Sequence, residues 1–540
     1  MPARPPQRRA RSAFSRLALA ALVLAALGAA RPPLGDGPRE VDRVRVRLLE
    51  QYRPQRLTLR AGDEPVAFHD GDDRDALVRL PAGETATLRL DAGRIVVERG
   101  GETFRAANLR VAPEAGGGFA LTVPGGPGER RYEGALRVDA DARRAGQMRL
   151  VHTVDLETYV AAVVQREYGM DDVEGSRAMA VVARTYALKS RGRYGPDYDV
   201  VDHVGSQVFF GLEGVRKRTL DAARDTEGEV LMWRGALAET VYSASSGGYT
   251  AGNDAVWNST PLPYLRARPD PYDRVSPHAA WTTRLERDAV LAALSRGFGF
   301  AVSGFRLART GVDGRVQAVL IEREGGQPHE ATVSRFRGLI LQAFGAMSLR
   351  STRFTARRDG EAYVFDGSGF GHGVGLSQWG ARGQALEGRS YREILGFYYP
   401  GTDLARLDGR GASDPLPLPT LDDLLPPETL PALASNDDAE PTRTPDAGAF
   451  EDEPVADDGV AGIDERAIEA AVERLRASSR AAEPRPAPRT ERSPRTKPTS
   501  TVARPRAQPD RPAVERPRVE TPVAAPPGAT AKPTPRRIGW

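Results

Sequence analysis

The apolar positions of this chain are spaced most regularly between residues 155 and 191. In the first half of this stretch they recur every three or four residues, at Leu156, Val160, Val163 and Val164. This is the spacing of an amphipathic helix, and Asp155 stands where an N-terminal cap belongs. Gly169 breaks the pattern, and a second apolar series runs from Ala178 to Leu188. The pattern therefore predicts two consecutive helices joined at Gly169.

One acidic residue, Glu167, falls on the apolar face of the first predicted helix, near its C-terminus. Desolvation of a carboxylate costs free energy and the helix C-terminus adds negative potential, so both effects raise the pKa of such a group. A carboxyl group with a raised pKa can act as a general acid near neutral pH. The alternative is structural: an arginine of the second helix pairs with Glu167 and keeps it ionised. This segment alone leaves both interpretations open.

A different periodicity governs residues 41–130. Apolar and polar residues alternate over 44–48 and 86–90, and 94–98 is a short apolar run. Turn-forming clusters such as 70–73 separate these runs. Alternation with a period of two residues, interrupted by frequent turns, predicts a β-rich N-terminal region.

Helices and strands are intermixed, without a regular βαβ repeat, over the next part of the chain up to about residue 405. The pattern predicts helices at 220–227 and 287–296, strands at 230–233, 316–323 and 361–365, a strand entering a Ser/Gly turn at 240–248, a glycine-rich loop at 367–375, and a capping box from Ser390 to Glu393. Such a mixture is typical of an α+β fold.

The first residues of the chain predict export. Basic residues precede an apolar run at 17–27, and the small residues 28–30 suit a cleavage site, so residues 1–30 are predicted to be a signal peptide. The run is shorter than the roughly 20 residues of a spanning helix, and retention as an uncleaved anchor is the alternative. The chain contains no cysteine, which excludes disulfides and thiolate nucleophiles or ligands. We expect the protein in the periplasm or cell envelope.

Beyond about residue 410 the composition becomes rich in Pro, Ala and Arg and loses its periodicity. This predicts a disordered tail over residues 411–540. The net charge of +4 hides two opposed blocks: 420–465 is acidic, while 481–540 holds 13 Lys/Arg against 5 Asp/Glu, a net of +8. A basic tail on an exported protein favours an anionic wall or membrane surface rather than nucleic acid. A solvated linker without a partner is the alternative.

Three motifs suggest chemistry that their surroundings do not support. The glycine-rich stretch 369–375 lacks the Gly-Lys-Ser/Thr ending of a phosphate-binding loop. His372 within it could ligate a metal, but the other histidines show no metal-type spacing, and a bond to its own loop backbone is the structural alternative. The serines at 243–246 lack the Gly-x-Ser-x-Gly signature of a nucleophile elbow. We therefore expect no metal and no cofactor.

Eight short blocks of this sequence occur in the order in which the SpoIID/LytB family has them. They lie at 132–136 (YEGAL), 156–167, 178–188 (AMAVVARTYAL), 206–211, 245–248 (SSGG), 349–352, 369–381 (GFGHGVGLSQWGA) and 398–402 (YYPGT). The chain resembles this family over a core at residues 131–405, only loosely over 41–130, and not in the tail.

The resemblance implies peptidoglycan chemistry outside the cytoplasm. One branch of the family resembles lytic transglycosylases, which cut glycan strands stripped of their stem peptides between N-acetylmuramic acid and N-acetylglucosamine and leave a 1,6-anhydro-muramic end. The other branch resembles amidase enhancers, which bind glycan and stimulate a cell-wall amidase. The family's catalytic glutamate aligns on Glu167. Some members hold a metal near the 206–207 block through histidine and cysteine, and this chain offers only His203 there.

A lytic transglycosylase needs one carboxyl group, whereas glycoside hydrolases usually need two. Glu167 would protonate the glycosidic oxygen and then take the proton of the muramic 6-hydroxyl. The polar residues within the matching blocks are our candidates for contact with the sugar, and bracing of loops is their structural alternative. They are Arg184, Gln207, Ser246, His372 and Gln378.

Overall fold

The computed structural model describes residues 42–407 and 414–418. Over this part of the chain it shows intermixed helices and strands in several sheets, so the α+β prediction is confirmed. The predicted signal peptide and nearly all of the predicted tail lie outside the described residues. Within them, no helix is both long and apolar enough to cross a lipid bilayer.

Two largely antiparallel sheets form the N-terminal part of the structure. Their strands are β1 (Arg43–Leu48), β2 (Arg56–Ala61), β3 (Val66–Asp70), β4 (Val78–Leu80), β5 (Thr85–Asp91), β6 (Arg94–Arg99), β7 (Glu102–Ala106), β8 (Asn108–Pro113), β9 (Gly118–Thr122), β10 (Arg130–Glu133), β11 (Ala135–Ala140), β12 (Met148–Asp155) and β13 (Val200–Val201). One sheet has the order β13-β1-β12-β11-β8-β3-β4, and the other β10-β9-β2-β5-β6-β7. The predicted boundary at residue 130 falls at the start of β10.

Eight α-helices accompany these sheets in the described residues. They are α1 (Leu156–Val163), α2 (Val173–Lys189), α3 (Lys217–Asp225), α4 (Asn253–Trp257), α5 (Arg287–Phe298), α6 (Val333–Phe344), α7 (Gln378–Leu386) and α8 (Tyr391–Tyr398). The predicted cap of α1 is present, because the Asp155 side chain accepts from the Thr158 amide at 2.9 Å. The predicted capping box of α8 is also present.

The remaining strands form four small sheets. They are β14 (Glu229–Trp233), β15 (Ala236–Leu237), β16 (Tyr242–Ser243), β17 (Trp281–Glu286), β18 (Val302–Thr310), β19 (Val316–Arg323), β20 (His329–Thr332), β21 (Phe354–Asp359), β22 (Ala362–Gly367), β23 (Leu376–Ser377), β24 (Asp403–Arg406) and β25 (Asp414–Pro415). Their orders are β15-β14-β24-β25, β16-β23, β17-β22-β21 and β18-β19-β20. The sequence pattern did not predict β18 or α6, although α6 buries apolar residues at helical spacing from Val333 to Ile340.

The apolar side chains form two principal hydrophobic clusters. The larger one contains both N-terminal sheets, α1 and α2, and takes in later residues such as Leu376 and Ile394. The second lies between Trp281 and Phe365 and contains α5, α6 and the strands around them. The chain thus leaves the larger cluster after Tyr272 and returns to it at Val374. Because β16 and β23 pair in parallel, segments on either side of this excursion meet beside α1 and α2.

Candidate active site

The first helix does not continue regularly to Gly169. After α1 the backbone forms a π-helical turn over Val164–Tyr168, and Gly169 ends it at a φ of 60°. A Cβ at Gly169 would come within 2.9 Å of the Gln165 carbonyl oxygen, so this position needs glycine. Single π-helical turns are frequent at functional sites. Here the turn carries Glu167 near a helix C-terminus, as the apolar pattern predicted.

The Glu167 carboxylate is surrounded by neutral hydrogen-bonding groups. Its Oε1 accepts from the backbone amide of Val208 at 2.7 Å. The Tyr242 hydroxyl and the Gln378 side-chain amide also face it. Burial raises the pKa of Glu167, and these three groups offset part of that increase. In the described part of the chain no arginine or lysine forms an ion pair with it, so Glu167 keeps a proton at higher pH than an ordinary carboxyl group does.

Tyr242 is held in place by a chain of side-chain hydrogen bonds. The Tyr159 hydroxyl donates to Gln207 Oε1 at 3.1 Å, and Gln207 Nε2 donates to the Tyr242 hydroxyl oxygen at 3.3 Å. Gln207 is fully buried, so its amide oxygen and nitrogen need partners within the protein, and the two tyrosines supply them. Because the Tyr242 oxygen accepts from Gln207, its own proton is free to point at Glu167. The predicted residue Gln207 thus acts on Glu167 through Tyr242.

The parallel pair β16–β23 brings Tyr242 and Gln378 to the same place. Tyr242 lies opposite Leu376, and Ser243 lies opposite Ser377. Ser377 caps α7 by accepting from the Gly380 amide at 3.1 Å, so Gln378 begins that helix. A Cβ at Gly375 would lie 2.0 Å from the Val241 carbonyl oxygen. The glycine-rich sequence therefore permits the close backbone contact that places Gln378 at Glu167.

Two buried aspartates connect the loops behind this site. Asp273 accepts from the hydroxyls of Ser245 and Ser377, both at 2.6 Å. Asp270 accepts from the Ser246 hydroxyl at 2.9 Å and from the Tyr398 hydroxyl at 3.0 Å. We call these residues, namely Asp270, Asp273, Ser245, Ser246, Ser377 and Tyr398, the acid hub. Burial and the neighbouring Asp273 raise the pKa of Asp270 to about 7, and burial also raises that of Asp273.

The acid hub was not predicted from the sequence. Asp270 and Asp273 lie in a proline-rich stretch that gave no periodic signal. The hub also corrects the expectation for Ser246, whose hydroxyl is buried against Asp270 instead of facing a groove. Since its side chain is almost wholly inaccessible, Ser246 braces the loop, and the prediction of direct sugar contact does not fit this position.

Arg184 also differs from its prediction. Its guanidinium is fully buried and pairs with Glu157, with Nε 2.8 Å from Glu157 Oε1, instead of with Glu167. It also donates to the carbonyl oxygens of Ala223 at 3.1 Å and Glu229 at 3.0 Å. The proposed ion pair between Glu167 and an arginine of the second helix is therefore wrong. With its donors committed to α1, α3 and β14, Arg184 is placed to hold the helices together, not to contact a sugar.

His372 braces the glycine-rich loop, as its structural alternative predicted. Its Nδ1 accepts from the Val374 amide at 3.0 Å, and its ring also hydrogen-bonds to the backbone of Tyr242. Burial and the charge of Arg315 lower the pKa of His372 to about 4, so the ring is neutral near pH 7. Within the described residues, no group of three or more His, Cys, Asp or Glu side chains is placed to hold a metal ion.

The structure thus brings together three of the six predicted site residues, namely Glu167, Gln207 and Gln378. His372 adjoins them through the Tyr242 backbone, whereas Arg184 and Ser246 do not join them. Tyr159 and Tyr242 belong to the site and were not predicted. The signal that could have found them is the hydroxyl group of a tyrosine in an apolar segment, because such a hydroxyl needs a partner when it is buried.

Comparison with known proteins gives one matching family model and several relatives of this chain. The family model SpoIID, described as stage II sporulation protein, matches residues 144–233, which include Glu167 and Gln207. The chain is 28% identical over 277 residues to the amidase enhancer of Bacillus subtilis (strain 168), covering 43% of this chain and 38% of that protein. It is 28% identical over 279 residues to stage II sporulation protein D of Bacillus amyloliquefaciens, covering 48% of this chain and 76% of that protein.

The corresponding protein of Bacillus subtilis (strain 168) is 27% identical over 278 residues and is covered to 76%. The chain therefore spans most of the two sporulation proteins but well under half of the amidase enhancer. The family-model match and these relatives confirm the resemblance found in the ordered blocks. The chain thus resembles the SpoIID family, and the family model matches it at residues 144–233.

Proposed function

We propose that this protein is an exported lytic transglycosylase that cleaves denuded peptidoglycan strands. The observation that carries the proposal is the environment of Glu167: a carboxyl group with a raised pKa, hydrogen-bonded by neutral groups and free of ion pairs in the described part of the chain. Such a group can be protonated when substrate binds and can accept a proton later in the same reaction. Both events are needed when one residue serves as acid and base.

In the first step, protonated Glu167 donates to the oxygen between N-acetylmuramic acid and N-acetylglucosamine. The bond from muramic C1 to that oxygen breaks, and positive charge develops on the muramic ring. The Val208 amide, the Tyr242 hydroxyl and the Gln378 amide stabilise the carboxylate that remains. Because these donors are already in place, little reorganisation accompanies the loss of the proton.

In the second step, the Glu167 carboxylate takes the proton from the 6-hydroxyl of the same muramic residue. The oxygen then bonds to C1 and closes the 1,6-anhydro ring, and Glu167 is protonated again. No water is consumed, so no second carboxylate is needed to activate one. The contacts of Glu167 agree with this requirement, since its carboxylate is hydrogen-bonded by the neutral groups of Val208, Tyr242 and Gln378.

The direct test is digestion of denuded glycan strands with the purified protein, followed by mass spectrometry of the ends. A transglycosylase yields 1,6-anhydro-muramic ends, whereas a hydrolase yields reducing muramic ends, heavier by one water. Strands that still carry stem peptides serve as the comparison substrate. Absence of anhydro ends under conditions where the protein binds the strands would contradict the proposed activity.

A second candidate function is supported by the similarity to the amidase enhancer. In this case the protein binds glycan and stimulates a partner N-acetylmuramoyl-L-alanine amidase without cleaving the strand itself. It predicts no anhydro product, but faster release of stem peptides when the protein is added to the amidase. Measuring both products in one digest, with and without the amidase, separates the two functions.

We also propose that the reaction takes place outside the cytoplasm. The predicted signal peptide at residues 1–30 favours the periplasm or cell envelope, where the substrate lies. We propose that the basic end of the tail, residues 481–540, binds the anionic wall or membrane surface and holds the enzyme near its substrate.

A further inference from the structure

One tryptophan close to the candidate site is exposed although its segment is rigidly anchored. Trp257 ends α4, and 36% of its surface is accessible. The helix starts at Asn253, which is buried and whose side chain bonds to Ser259 Oγ and to the Thr260 carbonyl, both at 2.8 Å. The Asn253 side-chain oxygen also accepts from the Leu262 amide at 2.9 Å. Because these contacts fix the backbone around Trp257, its exposed ring has a defined position at the surface.

The inner side of Trp257 rests on His372. The two ring centroids are 5.0 Å apart, with the rings tilted by 52°. The segment before α4 is also tied to the glycine-rich loop, because the Ala251 amide donates to the Gly373 carbonyl at 2.8 Å. His372 in turn bonds to the backbone of Tyr242, whose hydroxyl faces Glu167. Trp257 is therefore connected to Glu167 through two intervening side chains.

The surroundings of Trp257 favour an uncharged ligand. His372 is neutral near pH 7, because burial and Arg315 lower its pKa to about 4. Asp254 of α4 is paired with Arg266, at 3.3 Å. A broad apolar ring beside a neutral polar group suits a ligand that has one apolar face and hydroxyl groups at its edge. A pyranose ring has this character.

We propose that Trp257, supported by His372, is a binding subsite for a sugar ring of the glycan strand, away from the ring that reacts at Glu167. The inference rests on the proposed function, because it takes the glycan strand as the substrate. Since the whole side chain of Tyr242 and the ring of His372 separate the two points, Trp257 and Glu167 contact different sugars. Trp257 therefore contributes to the binding of longer strands.

The test measures the binding of denuded glycan oligosaccharides of increasing length by titration calorimetry. All proteins carry Glu167→Gln, so that the ligand is not cleaved. Trp257→Ala is expected to weaken binding of long oligosaccharides about tenfold and to leave disaccharide binding nearly unchanged. Trp257→Phe keeps an aromatic ring and is expected to retain most of the affinity. Val312→Ala, at an exposed valine between β18 and β19, serves as the control.

The outcomes distinguish the subsite from the activity. If Trp257→Ala binds every length as tightly as its parent does, the subsite is wrong, whether or not anhydro ends form. If the length-dependent loss appears while the wild type forms no anhydro ends, the subsite stands and the transglycosylase activity is wrong. If the Glu167→Gln parent binds no glycan of any length, both are wrong. Unchanged thermal unfolding of Trp257→Ala shows that the loss does not come from misfolding.

Discussion

Replacement of Glu167 by glutamine is expected to lower the rate of anhydro-end formation about 10²–10⁴-fold, the usual contribution of general acid–base catalysis. Glutamine has nearly the same shape and can still accept from the Val208 amide, so the π-helical turn should persist. It can neither donate a proton to the glycosidic oxygen nor take one from the 6-hydroxyl. The loss should therefore appear in kcat, with much smaller changes in KM.

The matched control is Glu213→Gln. Glu213 is a half-exposed glutamate whose carboxylate lies 3.6 Å from Arg131, in a surface ion pair worth little to stability. The control variant is expected to form anhydro ends at the wild-type rate. A wild-type rate for Glu167→Gln, measured on the same denuded strands, would falsify the assignment of Glu167 as the acid and base.

The pH dependence of the wild-type reaction rate is a second test of the role of Glu167. Because burial raises the pKa of Glu167, its protonated form persists to higher pH than for a free glutamate, which loses its proton near about pH 4.3. The rate should therefore fall as the pH rises through this raised pKa. The variant Glu167→Gln should lack that decrease in its residual activity, and we expect the two pH profiles to differ in this limb.

Replacement of Asp270 by asparagine is expected to remove part of the pH dependence of folding stability. In the folded protein the pKa of Asp270 is raised from 3.8 to about 7, first by burial and then by the charge of Asp273. Its stabilising contribution is thus fully present below about pH 4 and is lost as the pH rises through about 7. Asparagine does not titrate, and its side-chain oxygen can still accept from Ser246 and Tyr398.

The free energy of unfolding of the wild type should decrease relative to that of Asp270→Asn by about 2–4 kcal/mol between about pH 5 and about pH 8. Part of the effect passes to Asp273, which ionises more easily once its neighbour is neutral. Urea unfolding at the two pH values measures the difference. Asp221→Asn, which removes a carboxylate from a surface pair with Lys217, is the control and should show no such trend. Parallel stability profiles for the wild type and Asp270→Asn would show that Asp270 stays ionised in the folded protein.

The acid hub also has a consequence for the active site. Ser377 is both a hub residue and the cap of α7, and the helix begins with Gln378, which faces Glu167. Tyr242 lies on the strand that leads directly into Ser245 and Ser246. Ionisation of the hub therefore acts on the same two segments that place the partners of Glu167. A change in the hub is expected to affect both stability and activity.

The local pattern of the sequence was sufficient to predict much of the helical scaffold. Helices α1 and α2, the Asp155 cap, the Gly169 break and the capping box of α8 were all predicted, because each depends on neighbouring residues. The position of Glu167 on an apolar face followed from the same spacing. The resemblance to the SpoIID family followed from the order of short blocks, and the family model over residues 144–233 and the relatives confirmed that resemblance.

By itself, then, the sequence determined that one acidic residue enters an apolar helical face, and that no cysteine takes part in its chemistry. Only the tertiary structure decided what surrounds that residue. The chain passes through a second hydrophobic cluster between Tyr242 and Gln378, and the pairing of β16 with β23 brings these two residues to Glu167. The same long-range packing pairs Arg184 with Glu157 instead of with Glu167. The partner of a charged side chain depends on which groups lie near it in the folded protein, not on their spacing along the chain.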